Sequence, residues 1–255
     1  MTEVESPPVP VNTKGGVPTR PSIIDQVKRF VTRTPELPTA DLGDYETDAR
    51  TMEPSVIKTC RQLKPDFEKG KYSLIVVDDI SGRLPGLAIK GVADFISNVN
   101  HKQKPGIVFI QASSGIHHWE VVNQFNQRIL PHLDIVKRKR VLIVTDYINT
   151  GSSIEMISAP LTKNGIRFDV VALEISPFAQ NKGNYQKIRK SAIRILSGPS
   201  ETVGTKIYNR PDLSGLGKNR YGTPKVMPSS RDSVIAARRD IKRLVARTLN
   251  AIYAG

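Results

Sequence analysis

The sequence predicts an α/β protein: a central parallel sheet of about five strands flanked by helices. Two observations carry that expectation. Short, unbroken apolar runs recur along the middle of the chain, and each leads into a segment with helical spacing. Strands that read as continuous apolar runs, rather than as alternating ones, are buried on both faces, as in parallel sheets covered by helices.

The elements follow in order. Residues 1–50 are rich in proline, poor in aromatics and without a sustained period. They read as a disordered arm, because such a segment buries too little apolar surface to offset the entropy of ordering it. Only Ile23 to Val31 has the spacing for a short helical stretch. From Pro54, which suits a first helical turn, Val56, Ile57, Cys60, Leu63 and Phe67 fall at helical spacing. Leu74-Ile75-Val76-Val77 is the first apolar run, with a helix expected from about residue 84 to 99. Ile107 to Ile110 is the second, with a helix near 116–130; Val141 to Val144 is the third, with a helix near 153–164. Val170 to Leu173 is the fourth, with a shorter helix near 185–190, and Ile193 to Leu196 is a weaker fifth. Residues 199–229 look irregular. The domain expectation is an arm over 1–50, an α/β core over 51–200, and an irregular segment plus basic helix over 201–255.

That last helix has one apolar face, from Val234 and Ala237 through Ile241, Leu244, Val245 and Leu249 to Ile252. Ser229 or Ser230 suits its cap. The spacing predicts that Ile241, Leu244 and Leu249 pack on the domain while Arg239 and Arg243 face water. Trp119 and Phe125 read as core or helix-packing residues.

Composition narrows the function. The chain has 255 residues and a formal net charge of +14. The excess sits toward the end: residues 206–255 hold eleven bases against three acids. Such a balance favours anionic ligands, whether phosphates, nucleic acid or an acidic surface. No apolar stretch is long enough to span a membrane, and the first ten residues have neither the basic nor the apolar region of a secretory signal. The one cysteine, Cys60, forms neither an internal disulfide nor a cysteine zinc site. A reducing, cytoplasmic setting is expected.

Three segments follow apolar runs and open helices. The most informative is Val141 to Ser153, VLIVTDYINTGSS. Here a buried strand reaches Asp146, then a short spacer, then a loop of small hydroxyl residues. Ligands of open α/β sheets sit at the carboxyl ends of strands. Gly151 permits close backbone approach. The hydroxyls of Thr150, Ser152 and Ser153, beside the free N–H groups of a helix start, make a phosphate cradle. The plain alternative is a strand-to-helix turn with a hydroxyl cap. The second segment is Val77 to Pro85, VDDISGRLP, whose Arg83 offers a planar fork to an anion. The third runs from Gln111 to His118; the adjacent His117 and His118 do not share a helix face, which disfavours joint metal ligation.

The segment Val141–Ser153 resembles the binding motif of type I phosphoribosyltransferases for 5-phosphoribosyl-1-pyrophosphate (PRPP). The resemblance spans about residues 70–200 and implies a type I phosphoribosyltransferase-like fold and Mg²⁺ as cofactor. It implies that Asp146 holds the ribose hydroxyls and meets the PRPP-bound Mg²⁺, beside Thr145 and Asn149. It implies that Thr150, Gly151, Ser152 and Ser153 hold the 5′-phosphate. By the same resemblance, Asp79, Ser81, Gly82 and Arg83 form the pyrophosphate loop, with Asp146 and Arg83 the catalytic pair. Two positions depart from the family pattern. Thr145 replaces the first of two acids, and Asn149 stands where some purine-salvage members carry a base.

The leading reading is therefore phosphoribosyl transfer from PRPP to a nucleobase-like acceptor, with release of pyrophosphate. Tyr147 and Phe178, at strand ends, are candidates for stacking on the acceptor. Two other readings stay open: a regulatory protein that binds PRPP or a nucleotide without turnover, and a nucleic-acid-binding protein using the basic tail. A homodimer fits all three. No membrane partner is expected.

Overall fold

The structure is a computed structural model that describes residues 22–32, 44–78, 82–112, 116–199, 216–218, 224–226 and 231–254 of the chain. Five strands form the main sheet: β1 (Tyr72–Asp78), β2 (Gly106–Ile110), β3 (Arg140–Ile148), β4 (Phe168–Ile175) and β5 (Ile195–Ser197). All neighbouring pairs are parallel, in the order β2-β1-β3-β4-β5. The first four apolar runs sit where the sequence reading put them, within strands that extend past them by one to four residues; the fifth, Ile193 to Leu196, enters β5 only at Ile195.

Helices cover both faces, so the interiors of the central strands β1, β3 and β4 are buried, while β2 and β5 at the edges are partly exposed. On one face lie α1 (Ile23–Thr32), α2 (Asp44–Glu68), α3 (Arg83–Val99) and the last helix, α8 (Arg231–Tyr253). They pack Val27, Val56, Leu63, Ile89 and Leu249 on Ile75, Val77, Leu142 and Val144. On the other lie α4 (His118–Arg128), α5 (Leu133–Arg138), α6 (Ser152–Lys163) and α7 (Gly183–Ser191). These set Phe125, Val136, Ile157 and Ile188 against Val76, Val141, Ile143 and Val170. A separate pair of antiparallel strands, β6 (Leu216–Lys218) and β7 (Pro224–Val226), lies within the stretch expected to be irregular.

Several expectations need correction. Within residues 1–50, the helical stretch expected at Ile23 to Val31 is present as α1, but it docks on the core: Val27 is buried, and Phe30 packs edge-on against Phe95 with ring centroids 5.5 Å apart. Its start is fixed by Ser22 and Asp25: the Asp25 amide donates to Ser22 Oγ at 3.1 Å, and the Ser22 amide donates to Asp25 Oδ2 at 3.3 Å. This reciprocal cap stabilises a helix too short to persist alone. Helix α2 begins ten residues before Pro54, which is thus interior and exposed rather than in the first turn. The helix expected near 116–130 ends at Arg128; a 3₁₀ turn at Leu130–His132 and α5 follow, with Pro131 in the turn. Trp119 is 66% exposed, whereas Phe125 is buried. Trp119 falls in the first turn of α4, off the stripe made by Val121 and Phe125 at a spacing of four.

The last helix packs as its periodicity predicts for Leu244 and Leu249, both fully buried, with Ile241 partly so. Arg239 is exposed, as expected. Arg243 is not: its side chain is 13% exposed and pairs with Asp240 at 3.8 Å. Arg247 is likewise committed, to Glu53 of α2 at 2.9 Å. These pairs sit along the seam where α8 meets its neighbours, so a simple apolar-inside pattern missed them. The proposed caps Ser229 and Ser230 lie outside the described residues. Among the described residues, no helix is long and apolar enough to cross a membrane.

Candidate functional site

Strands β1 and β3 are neighbours, yet the helices that follow them lie on opposite faces: α3 on one, α6 on the other. This is the point where the strand order reverses direction. The chain must diverge there, and that topology makes the gap between the two departing loops, at the carboxyl ends of the strands, the expected crevice for a ligand. Both segments singled out from the sequence flank it. Val77 pairs with Val144, so Asp78 ends β1 while β3 continues for four more residues. The wall of the crevice is thus taller on the β3 side.

On the β1 side, the Gly82 amide donates to the Asp78 carbonyl at 3.0 Å. A Cβ on Gly82 would lie 2.8 Å from the carbonyl oxygens of both Asp78 and Val144. Only glycine lets this loop press onto the β3 backbone. The contact seats Gly82 against the β3 backbone at Val144 and Thr145. Arg83 opens α3 with its guanidinium 4.8 Å from the centre of the Phe109 ring. Asp79 and Ser81, the other members of the expected pyrophosphate loop, lie outside the described residues, as does Ser113 of the third segment.

On the β3 side, Thr145 and Asp146 are each 1% exposed. Asp146 Oδ1 accepts from the Tyr147 amide at 2.6 Å. A ligand would reach this carboxylate only after it turned outward. The loop beyond is open: Asn149, Thr150 and Ser152 are exposed and Ser153 is half-buried. Gly151 is the N-cap of α6 in the left-handed region, with φ 82° and ψ 2°. It has no side chain to cap the helix, so the first-turn amides have no intrahelical acceptor. The Ser152 amide meets Thr150 Oγ1 at 3.3 Å, and the two hydroxyls lie 2.9 Å apart. Exposed hydroxyls, the first-turn amides of Ser153 and Ile154 and the positive end of the helix dipole combine into a site that favours an oxyanion.

The remaining candidates sit around this crevice. Ser176 follows β4: its amide donates to the Ile148 carbonyl at 2.9 Å, and its Oγ accepts from the Phe178 amide at 3.2 Å. This fixes a short turn that presents Phe178, 73% exposed. Tyr147 is half-buried. His117 and His118 are both exposed at the start of α4. Among the described residues, no group of three or more His, Cys, Asp or Glu is placed to hold a metal ion.

Two residues that the sequence reading passed over belong to this site. Asn184 Nδ2 donates to Ser152 Oγ at 3.0 Å. The Tyr185 amide nitrogen sits so close that a Cβ on Gly151 would lie 3.0 Å from it. Both residues are in the first turn of α7, thirty-odd positions downstream. No local pattern signals that meeting. No family model, curated protein or solved structure matches this chain.

Proposed function

We propose that this chain is a phosphoribosyltransferase of the type I kind, which moves the phosphoribosyl group of PRPP onto a nucleobase-like acceptor. The observation that carries the reading is the pairing of two dissimilar loops at one strand-order reversal. One is tight, glycine-seated and arginine-bearing, suited to pyrophosphate. The other is hydroxyl-rich and opens a helix, suited to a phosphomonoester. PRPP carries both groups on one sugar.

In this account Thr150–Ser153 hold the 5′-phosphate and Gly82–Arg83 hold the pyrophosphate. The bond from C1 of the ribose to the pyrophosphate oxygen breaks, and a bond from C1 to an acceptor nitrogen forms. The acceptor's proton passes to solvent. Arg83 meets negative charge as it grows on the leaving group. Mg²⁺ favours phosphate oxygens and water over a cage of protein side chains. The donor set agrees with that preference, since Asp146 is the one carboxylate in the segment 141–153. Asp146 would hold such an ion together with PRPP, and the ion would neutralise diphosphate charge.

A second reading, PRPP binding without turnover, is favoured by two features. Thr145 carries no charge where positive charge would develop on the ribose, and Asp146 is interior. Pyrophosphate release from Mg-PRPP, followed with a panel of nucleobases, separates the two. Transfer predicts release that depends on one acceptor and rises in Thr145→Asp. Binding alone predicts that neither protein releases pyrophosphate with any acceptor.

A further inference from the structure

The phosphate loop is not held by its own segment alone. Its outer hydroxyl, Ser152 Oγ, accepts from Asn184 Nδ2 at 3.0 Å, and Gly151 lies against the Tyr185 amide. One turn further along each helix, Lys187 pairs with Glu155 at 3.6 Å. Helices α6 and α7 are therefore joined at their starts, on either side of the loop.

We propose that Asn184 is a positioning residue of the phosphomonoester pocket, one that holds Ser152 as an acceptor and so keeps one loop O–H for the ligand; this rests on the transferase reading above. Thr150 Oγ1 accepts from the Ser152 amide, and Ser152 Oγ accepts from Asn184. The two hydroxyls share one further hydrogen bond, at 2.9 Å. Each hydroxyl has one hydrogen. If Ser152 donates to Thr150, the Thr150 hydrogen is left to point outward. If Thr150 donates to Ser152, the Ser152 hydrogen is left.

In both cases Ser152 already takes a donor from Asn184. The pair then offers an O–H to an incoming group and has few lone pairs to spare. That polarity suits a phosphate dianion and repels a cation. Removing the Asn184 amide frees a lone pair on Ser152 and loosens its hold, but by itself leaves one O–H spare. An aspartate at 184 goes further. It can only accept, so it draws the Ser152 hydrogen toward itself and sets a negative charge beside the bound phosphate. The Glu155–Lys187 pair does not touch the hydroxyls, so it holds the helices together without setting this polarity.

The test is the full-length Asn184→Asp protein against wild type, with two probes in calorimetry: ribose 5-phosphate, and inorganic pyrophosphate with Mg²⁺. Ribose 5-phosphate should bind the variant at least about tenfold more weakly, the loss of one charge-assisted contact. Magnesium pyrophosphate, which meets the other loop, should bind both proteins equally. Asn184→Ser, which keeps a donor on a shorter arm, should recover part of the lost affinity. Equal ribose 5-phosphate affinity in Asn184→Asp and wild type overturns the role of Asn184 and leaves the transferase reading standing. Equal losses for both probes overturn it as well, since that marks a general structural defect. A wild-type protein that binds neither probe overturns both the positioning role and the reading it rests on.

Discussion

The two ends of the main sheet are built from opposite materials. At the amino end of the strands, charged groups close on one another. Asp169, fully buried at the start of β4, accepts from Tyr72 Oη at 2.5 Å and from Arg194 at 3.0 Å, with Arg140 at 3.4 Å. Arg194 also bonds Asp66 of α2, and Lys71 meets the same carboxylate at 2.6 Å. Burial and the Asp169 carboxylate hold the Tyr72 phenol well above its usual range. At the carboxyl end, beyond the buried Thr145 and Asp146, the loop residues Asn149, Thr150 and Ser152 are exposed around a glycine in the left-handed region, with amides and hydroxyls able to take a partner. The amino end binds the chain to itself. The carboxyl end holds back bonding capacity, which is what a ligand site requires.

The comparison breaks most visibly at Asp169. Asp169→Ala strands Arg194 and Tyr72 without their shared acceptor, and should cost about 3–5 kcal/mol of stability, the usual penalty for breaking a buried charge network. Denaturant unfolding would show the shift in midpoint. The folded fraction should still bind ribose 5-phosphate as wild type does. A variant with unchanged stability would mean the amino-end network is not the fastening it resembles.

Gly151→Ala should invert that pattern. A left-handed alanine costs about 1–2 kcal/mol, and the new Cβ would press on the Tyr185 amide. The fold should survive with modest loss, because the strained residue is a loop position at the edge of the core, while ribose 5-phosphate affinity falls steeply. Intact affinity would show that the loop is not the anion site.

The gentlest probe is acid. Burial alone would raise the pKa of Asp66, but Lys71 and Arg194 outweigh it and hold the carboxyl below its usual value. A carboxyl depressed in the folded state contributes stability above its unfolded pKa and loses it as pH falls through the folded value. Unfolding midpoints followed from neutral pH into the acid range should therefore fall, and Asp66→Asn should flatten part of that slope.

The sequence disclosed the carboxyl end better than the amino end. Val141 to Ser153 is a contiguous strand, acid, spacer and hydroxyl loop, so its geometry was legible from order alone. Gly82 was legible for the same reason, though its seat against Val144 was not. The Asp169 network was invisible, because Asp66, Tyr72, Arg140, Asp169 and Arg194 are spread over five segments that meet only when the strands align. Asn184 was hidden by the same long reach. Trp119 and Arg243 were misjudged where a residue sits at the margin of a helical stripe, since periodicity there does not decide between core and solvent. The α1 helix was undervalued because its stability comes from packing on α3 and α8 rather than from its own ten residues.

The claim at the centre of this account is that one crevice, at the β1–β3 strand-order reversal, binds a sugar carrying both a phosphomonoester and a diphosphate. Calorimetric titration of Mg-PRPP into the wild-type protein and into Asp146→Asn tests it most directly. The account predicts a single saturable site in the wild type, competed by ribose 5-phosphate and by magnesium pyrophosphate. It predicts that Asp146→Asn weakens this site by about 1.5–3 kcal/mol, the range for a hydrogen bond to a charged group. A wild-type protein that gives no saturable Mg-PRPP binding, or an Asp146→Asn protein with undiminished affinity, would contradict it.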